Sequence, residues 1–146
     1  MRLELTRRGD YGIRAMLALA RTPGDRRVSV AMIAADHRIP VRFLPNAMAD
    51  LVAAGLVEGT TGRAGGYRLA KPASAITLLD VIEALEGDPR RTTCVLRGSP
   101  CLVSGACDVH EVFAAAQEAL LDQLAATTLA EIVASGDPAP ALRSAG

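Results

Sequence analysis

The segment LVEGTTGRAGGYRLAKP, residues 56–72, decides the fold of this chain of 146 residues. Apolar and polar residues alternate in LVEG and again in YRLA, and a period of two is typical of β-strands. The glycine-rich stretch between them, TTGRAGG, favours a turn. The segment therefore predicts a β-hairpin with Arg63 at its tip, although by itself an ordinary surface turn would have the same pattern.

Three stretches before the hairpin carry apolar residues at helical spacing: residues 6–21, 29–38 and 41–55. Thr6 or Asp10 can cap the first helix, and Ser29 caps the second. Pro45 is tolerated in the first turn of the third helix, where its missing N–H is not needed, and Gly55 ends that helix.

Three helices followed by a hairpin with an arginine at its tip are the order of a winged helix-turn-helix. In that fold the third helix enters the major groove of DNA, and the hairpin, or wing, contacts the backbone or the minor groove. Glycines let the wing backbone approach DNA closely. We therefore predict a mainly α fold in which residues 1–73 form a DNA-binding domain.

Beyond this domain the pattern predicts a connecting helix, a loop, a long amphipathic dimerisation helix with a C-terminal helix, and a flexible tail. Their ranges are 74–87, 88–107, 108–135 and 136–146. Ser74 is expected to cap the connecting helix and Gly87 to end it. Small DNA readers usually need a two-fold partner, so the long helix is expected to pack on a second copy, with packing on its own domain as the alternative.

The net charge of zero conceals two oppositely charged halves. Residues 1–71 contain 12 Lys and Arg against 6 Asp and Glu, hence +6, whereas residues 72–146 contain 4 against 10, hence −6. A basic half suits a polyphosphate such as DNA, although chance segregation of surface charge would look the same.

Other classes of protein lack support in the sequence. There is no apolar run like a signal peptide and no uncharged apolar stretch of about 18 residues, so we expect a soluble cytoplasmic protein with no membrane partner. No nucleophile–base pair or phosphate loop stands out, GRAGG is too short for a nucleotide fingerprint, and Asp36–His37 is interpreted as a surface pair. The chain is therefore not expected to be an enzyme.

Every cysteine of the chain, Cys94, Cys101 and Cys107, lies within a short segment that ends at His110. In a reducing cytoplasm such a group indicates ligands or redox groups rather than structural disulfides. The spacing Cys-x6-Cys-x5-Cys-x2-His lacks the Cys-x2-Cys knuckle of zinc sites and favours a loop around an iron–sulfur cluster, with zinc or a thiol–disulfide switch as alternatives. His110 is expected one turn along a helix that begins near Cys107, where both side chains can face one point; a solvated histidine is the alternative.

Three stretches together resemble the IscR/NsrR group of bacterial winged-helix iron–sulfur regulators, the Rrf-two family: MRLELTRRGDYGIRAMLALA, GLVEGTTGRAGGYRLAKPASAITLLDVIEALEG and the three-cysteine loop. The resemblance implies a homodimeric transcription factor, such as a repressor, that binds double-stranded operator DNA. It also implies an iron–sulfur cluster that senses iron–sulfur status, redox stress or nitric oxide and thereby changes operator affinity. The alternative is a small iron–sulfur or zinc redox carrier without DNA binding.

The resemblance implies a role for each candidate ligand. Cys94, Cys101 and Cys107 match the three thiolate ligands. His110 matches the fourth ligand of the branch that holds a 2Fe–2S cluster, which we favour. Asp10 matches an aspartate that, in some nitric-oxide-sensing relatives, reaches a 4Fe–4S cluster from the partner protomer. The Cys-x6-Cys gap is one residue longer than the Cys-x5-Cys of those branches.

The expected DNA contacts come from three elements. Arg42 and Asn46 of the third helix are the predicted base readers, and Arg63 is the predicted wing contact. Ser29 and Arg38, at the two ends of the second helix, complete the set. Pro45 stands where IscR has a polar base-reading residue, so the resemblance implies an operator code that differs in part.

Overall fold

A computed structural model of the chain describes residues 4–90 and 108–136. Within these ranges it contains six α-helices and one two-stranded antiparallel sheet, which confirms the mainly α fold with a β-hairpin. In chain order the elements are α1 Arg7–Arg21, α2 Val30–His37, α3 Leu44–Ala53, β1 Val57–Thr60, β2 Gly66–Leu69, α4 Leu78–Glu86, α5 His110–Ala126 and α6 Leu129–Ser135. Short 3-10 turns cover Val41–Phe43 and Ala73–Ala75. The domain boundaries predicted from the sequence stay predictions.

The predicted caps of the first two helices are confirmed. The Thr6 hydroxyl accepts a hydrogen bond from the Gly9 N–H at the start of α1, and the Ser29 hydroxyl accepts one from the Met32 N–H at the start of α2. These bonds satisfy N–H groups that have no partner inside the helix. The α2 helix ends at Arg38, whose φ of 51° is left-handed.

The third helix begins later than its periodicity predicted. Residues 41–43 form a 3-10 turn, and α3 starts at Leu44 with Pro45 in its first turn. An α-helix through this region would need an N–H at Pro45 to reach the carbonyl of Val41, and proline has none. The tighter turn, in which the Leu44 N–H donates to the Val41 carbonyl instead, solves this problem.

The expectation that Ser74 caps the connecting helix is wrong, because Thr77 caps α4. The Thr77 hydroxyl accepts from the Asp80 N–H at 3.1 Å, and the Asp80 carboxylate accepts from the Thr77 N–H at 2.9 Å. This reciprocal capping box satisfies two backbone donors at once. Ser74 lies instead in a 3-10 turn. The residue three positions after Ser74 is Thr77, which has no carboxylate and cannot complete a capping box.

The wing is held along its second strand by a third strand-like contact. Strands β1 and β2 pair from Val57↔Leu69 to Thr60↔Gly66. On the other edge of β2, Val28 and Tyr67 exchange two backbone hydrogen bonds of 2.9 and 2.8 Å. The wing is thereby attached to the segment that leads directly into α2.

One core joins α1, α3, α4 and α6. Its largest fully buried side chains are Met16, Ile33, Leu44, Met48, Leu51, Ile76, Val81 and Leu129. Leu129 belongs to α6, so α6 returns to pack on the helices that precede α4. The return is anchored by an isolated bridge between Thr77 and Thr128, and Thr128 starts α6 with a capping box of its own.

Helix α5 differs from the others in how little of it is covered. All of its residues are described, and of these Leu121 is buried. Val112 and Leu120 are exposed by 66% and 39% of their surface. A helix with an uncovered apolar side is available for contact with another molecule.

Candidate DNA-binding surface and cysteine segment

Helix α3 presents two different sides. Leu44, Ala47, Met48 and Leu51 are buried in the core. Pro45 and Asn46 are exposed, and Arg42 in the preceding 3-10 turn is exposed as well. The structure therefore leaves both predicted base readers accessible at the start of this helix, with an apolar proline between them.

Two contacts hold α3 and the turn before it against α1, one within the helix and one at its start. The guanidinium of Arg8 forms an ion pair with the carboxylate of Asp50. The ring of Phe43 packs on the ring of Tyr11, with 5.4 Å between the centroids. Sequence reasoning missed this aromatic contact, because no local pattern joins Tyr11 on α1 to Phe43 just before α3.

The two predicted contacts of α2 lie at its ends. Ser29 is half-buried, and its oxygen accepts from the Met32 N–H at 3.2 Å, which leaves the hydroxyl hydrogen able to donate to an oxygen outside the helix. Arg38 is exposed in the turn between α2 and α3. Both positions suit contacts to DNA phosphates, which mostly come from such side chains and helix ends.

Two arginines of the wing have different roles. Arg63 is exposed between β1 and β2, at the tip of the hairpin as predicted. Arg68 lies on β2 and donates to the carboxylate of Glu58 at 2.9 Å across the pair of strands. Arg63 is therefore the cation that the tip can offer to a ligand, whereas Arg68 helps to join the two strands.

The interpretation of Asp36–His37 as a surface pair applies in full only to Asp36, which is exposed. His37 is half-buried. Burial lowers the pKa of its imidazole below the ordinary value of 6.5, and the nearby charges of Arg21 and Arg14 lower it further, while Asp36 raises it. The imidazole is therefore neutral at pH 7.

Asp10, one candidate for the fourth ligand, is engaged by a neighbour. Its carboxylate oxygens accept from the Nε and Nη2 atoms of Arg14 at 3.0 and 2.6 Å. This is a bidentate ion pair between residues one helical turn apart. The side chain of Asp10 is still 44% exposed. To bind iron, the carboxylate would have to exchange at least one of these hydrogen bonds for the metal.

His110, the other candidate, is exposed and is the first residue of α5. The prediction that it lies one turn along a helix beginning near Cys107 is wrong. Asp108 and Val109 form a turn, and α5 begins at His110, with Val109 as an N-cap residue that makes no side-chain hydrogen bond. Helical spacing therefore no longer argues that Cys107 and His110 face one point.

Cys94, Cys101 and Cys107 lie outside the described residues, so their role as ligands stays a prediction. Within residues 4–90 and 108–136 no group of three or more His, Cys, Asp or Glu side chains is placed to hold a metal ion. The chemistry of the donors is the remaining guide: three thiols with a histidine or aspartate fit an iron–sulfur cluster or zinc.

Comparisons with known proteins agree on one family. Residues 5–135 match the Rrf2 family, described as an iron-dependent transcriptional regulator. No helix among the described residues is long and apolar enough to cross a membrane.

The chain is also similar to solved structures over nearly its full length. CymR, the global cysteine regulator of Bacillus subtilis, is 29% identical, with a TM-score of 0.80 over 93% of this chain and 100% of that one. IscR of T. potens is 28% identical, with a TM-score of 0.75 over 92% of this chain and 89% of that one. The oxidized form of CymR from Staphylococcus aureus is 27% identical, with a TM-score of 0.74 over 92% and 99%.

Proposed function

The chain belongs to the Rrf2 family of transcriptional regulators, and from this premise we propose that it is a homodimer whose affinity for operator DNA is controlled by an iron–sulfur cluster. The fold is that of the winged-helix regulators of this family, which bind DNA and are not enzymes. The cluster, its ligands and the sensed signal belong to the proposal, as does a cytoplasmic location, where bacterial operators are found.

The observation that carries DNA binding is the common exposure of α3 and the wing tip. Arg42 and Asn46 are exposed at the start of α3, and Arg63 is exposed at the tip. Arginine and asparagine are the side chains that make paired hydrogen bonds to guanine and adenine in the major groove. An arginine on a wing suits the phosphates or the narrow minor groove. Ser29 and Arg38 would add phosphate contacts.

The observation that supports a dimer is the uncovered side of α5. Val112 and Leu120 are exposed there, eight residues apart, and exposed alanines lie between them. Residues four and eight positions apart lie on the same side of a helix. A second copy of α5 would bury this stripe by a two-fold contact and would place two α3 helices for two half-sites of an operator.

The proposed cluster ligands are Cys94, Cys101 and Cys107, with His110 or Asp10 as the fourth. Thiolates are the usual ligands of iron–sulfur clusters, and an imidazole is known on one iron of a 2Fe–2S centre, which favours His110. A bound cluster would supply a centre that iron shortage, oxidants or nitric oxide can alter. Similarity to T. potens IscR supports this part of the proposal, whereas similarity to CymR does not.

The position of the cysteine segment along the chain supports one route by which its state would change DNA binding. The predicted loop with the three cysteines, residues 88–107, comes just after α4 and just before α5. It therefore joins the body that carries α3 and the wing to the proposed dimer helix. If its conformation sets the position of α5 relative to that body, it also sets the spacing of the two α3 helices, and only one spacing matches a given operator.

A thiol–disulfide switch is the second candidate, because the same fold is found in an oxidized form of CymR. One experiment separates the two candidates. The protein is purified without oxygen from iron-replete cells, and iron and sulfide are counted alongside the absorbance spectrum. Brown protein with about two or about four irons per chain supports the cluster and its type. Colourless protein whose DNA affinity changes on thiol oxidation supports the switch, and colourless protein with tightly held zinc contradicts both.

DNA binding is tested separately by measuring affinity for duplex DNA at several salt concentrations. Binding should weaken steeply with salt, since each phosphate contact contributes a slope of about 0.9 in log affinity against log salt. Replacing Arg63 with alanine should weaken binding and reduce that slope by about one contact, whereas Glu58→Ala on the same hairpin should not reduce it. Equal affinity at low and high salt would contradict the proposal.

A further inference from the structure

We propose that Phe43 is a positioning residue for DNA recognition, whose ring holds the guanidinium of Arg42 in the orientation needed to read a base. The inference rests on the proposed function, since it assumes that α3 meets DNA. It adds a role for a side chain that has no hydrogen-bonding group of its own.

The evidence is a continuous stack of four side chains that runs from α1 to the start of α3. The guanidinium carbon of Arg42 lies 4.9 Å from the centroid of the Phe43 ring. The Phe43 ring packs on Tyr11 at 5.4 Å, with 39° between the ring planes. The guanidinium carbon of Arg14 lies 5.7 Å from the Tyr11 centroid on α1.

The stack is held in the domain at the end formed by Arg14 and is exposed to solvent at the end formed by Arg42. Arg14 is held by the two hydrogen bonds to Asp10, and Tyr11 and Phe43 are both half-buried. Arg42 is exposed. The ring that Arg42 rests on is therefore positioned by the body of the domain, although the guanidinium itself faces solvent.

Stacking on an aromatic ring does not compete with reading a base. The ring attracts the flat face of the guanidinium through its quadrupole, within about 6 Å of the centroid. The N–H donors lie in the plane of the guanidinium and point away from its edge, so they remain free to donate to O6 and N7 of a guanine. An arginine that is already oriented loses less side-chain freedom on binding than one that samples many rotamers.

Adjacent residues in the sequence make this arrangement possible. Arg42 and Phe43 are neighbours in the 3-10 turn that precedes α3, and Pro45 is what keeps these residues out of the α-helix. Proline at position 45, where the resembling family has a polar residue, removes one base reader, and the stack strengthens another, Arg42.

The experiment uses the full chain and a duplex that the wild-type protein selects from a random DNA library. Affinity at fixed salt is measured for Phe43→Leu, Phe43→Tyr, Arg42→Ala and the double variant Arg42→Ala/Phe43→Leu, on the selected duplex and on duplexes with single G·C pairs replaced. Phe43→Leu keeps apolar bulk but removes the ring, whereas Phe43→Tyr keeps the ring.

We expect Phe43→Leu to weaken binding about two- to fivefold, as loss of an exposed cation–π contact predicts, and to relax the preference at one G·C pair. Phe43→Tyr should retain both affinity and preference. In the Arg42→Ala background Phe43→Leu should cause no further loss. Equal losses from Phe43→Leu in both backgrounds, or equal effects of Leu and Tyr, would show a merely structural role and overturn the inference.

Failure of the proposed function gives a different result. If the wild-type protein enriches no duplex, DNA recognition fails and the inference fails with it. If Arg42→Ala abolishes the G·C preference while Phe43→Leu leaves it intact, DNA recognition through α3 stands and the positioning role of Phe43 is wrong.

Discussion

Glu86, the last residue of α4, caps the start of α1 by binding Thr6, 80 residues earlier in the chain. One of its carboxylate oxygens accepts both the backbone N–H and the hydroxyl of Thr6, each at 2.6 Å. A β-carbon on Gly9 would clash with that same oxygen, so a side chain there would displace the carboxylate from Thr6. A negative charge beside the first turn of α1 is also favoured by the helix dipole.

Replacing Glu86 with alanine should therefore lower the free energy of unfolding by about 1 kcal/mol, the usual cost of losing a helix cap. Chemical denaturation measures this cost. Glu83→Ala on the same helix is the matched control, because its ion pair with Arg90 is long and exposed at 3.6 Å and should contribute less than about 0.5 kcal/mol. Equal effects of the two variants would refute the capping role of Glu86.

The wing depends on a glycine at position 66 for a different reason. Gly66 has a φ of 142°, and a β-carbon there would lie 2.8 Å from the Val28 carbonyl oxygen that pairs with Tyr67. Gly66→Ala should lower the free energy of unfolding by about 3 kcal/mol, since both the backbone conformation and the space exclude a side chain. Gly24→Ala, with a φ of 64° but open space, isolates the backbone cost and should lose about 1 kcal/mol. A smaller loss at Gly66 than at Gly24 would contradict this account of the wing.

The sequence predicted those parts of the fold that depend on neighbours along the chain. Thr6 and Ser29 as caps, Gly87 as the end of α4 and Arg63 at the tip all follow from contacts within a few residues. The contact of Thr6 with Glu86 joins residues 80 positions apart, and no local pattern points to it. The prediction for Ser74 was wrong because Thr77, and not Ser74, has a carboxylate three residues later, Asp80, with which it forms a capping box.

In the candidate site, too, the features that depend on nearby residues could be predicted and the tertiary contact could not. Exposure of Asn46 follows from the apolar periodicity of α3, which assigns its other side to the core. The pairing of Asp10 with Arg14 is a spacing of four residues and could have been found in the sequence. The stack of Tyr11 on Phe43 could not, because it depends on how α1 crosses the start of α3.

His37 should make stability depend on pH in the mildly acidic range. Its pKa in the folded protein is lowered by burial and by the charges of Arg21 and Arg14, so the unfolded chain binds a proton more readily than the folded one. The free energy of unfolding should therefore fall as the pH drops from about 7 through the ordinary value of 6.5, and the loss should level off below the folded pKa. Thermal unfolding of the wild type and of His37→Gln between pH 7.5 and about 5 measures this. If the stability of His37→Gln changed as steeply with pH as that of the wild type, groups other than His37 would be the cause.

The uncovered side of α5 predicts the dimer contact. Val112→Glu or Leu120→Glu places a charge in the proposed contact and should give monomers by analytical ultracentrifugation, with loss of DNA affinity. Both residues are exposed in the single chain, so the fold of each protomer should persist. Asp122→Lys on the same helix changes a charge at an exposed position and is the control. A monomeric wild type, or dimeric Val112→Glu and Leu120→Glu proteins, would contradict a contact through this stripe.

The fourth ligand of the proposed cluster is tested by three single substitutions, because the pairing of Asp10 with Arg14 complicates the simple comparison. An imidazole suits a 2Fe–2S centre better than a hard carboxylate does, and His110 is exposed three positions after Cys107. We therefore expect His110→Ala to change the absorbance spectrum and to speed cluster loss, and Asp10→Asn to leave the spectrum unchanged. Asp10→Asn also removes the ion pair that holds Arg14, so a change in cluster lifetime alone could come from altered packing of α1. Arg14→Ala breaks the same ion pair while keeping the carboxylate, and so it separates the two effects. A spectrum altered by Asp10→Asn but not by Arg14→Ala or His110→Ala would identify Asp10 as the ligand and make a 4Fe–4S cluster the better proposal.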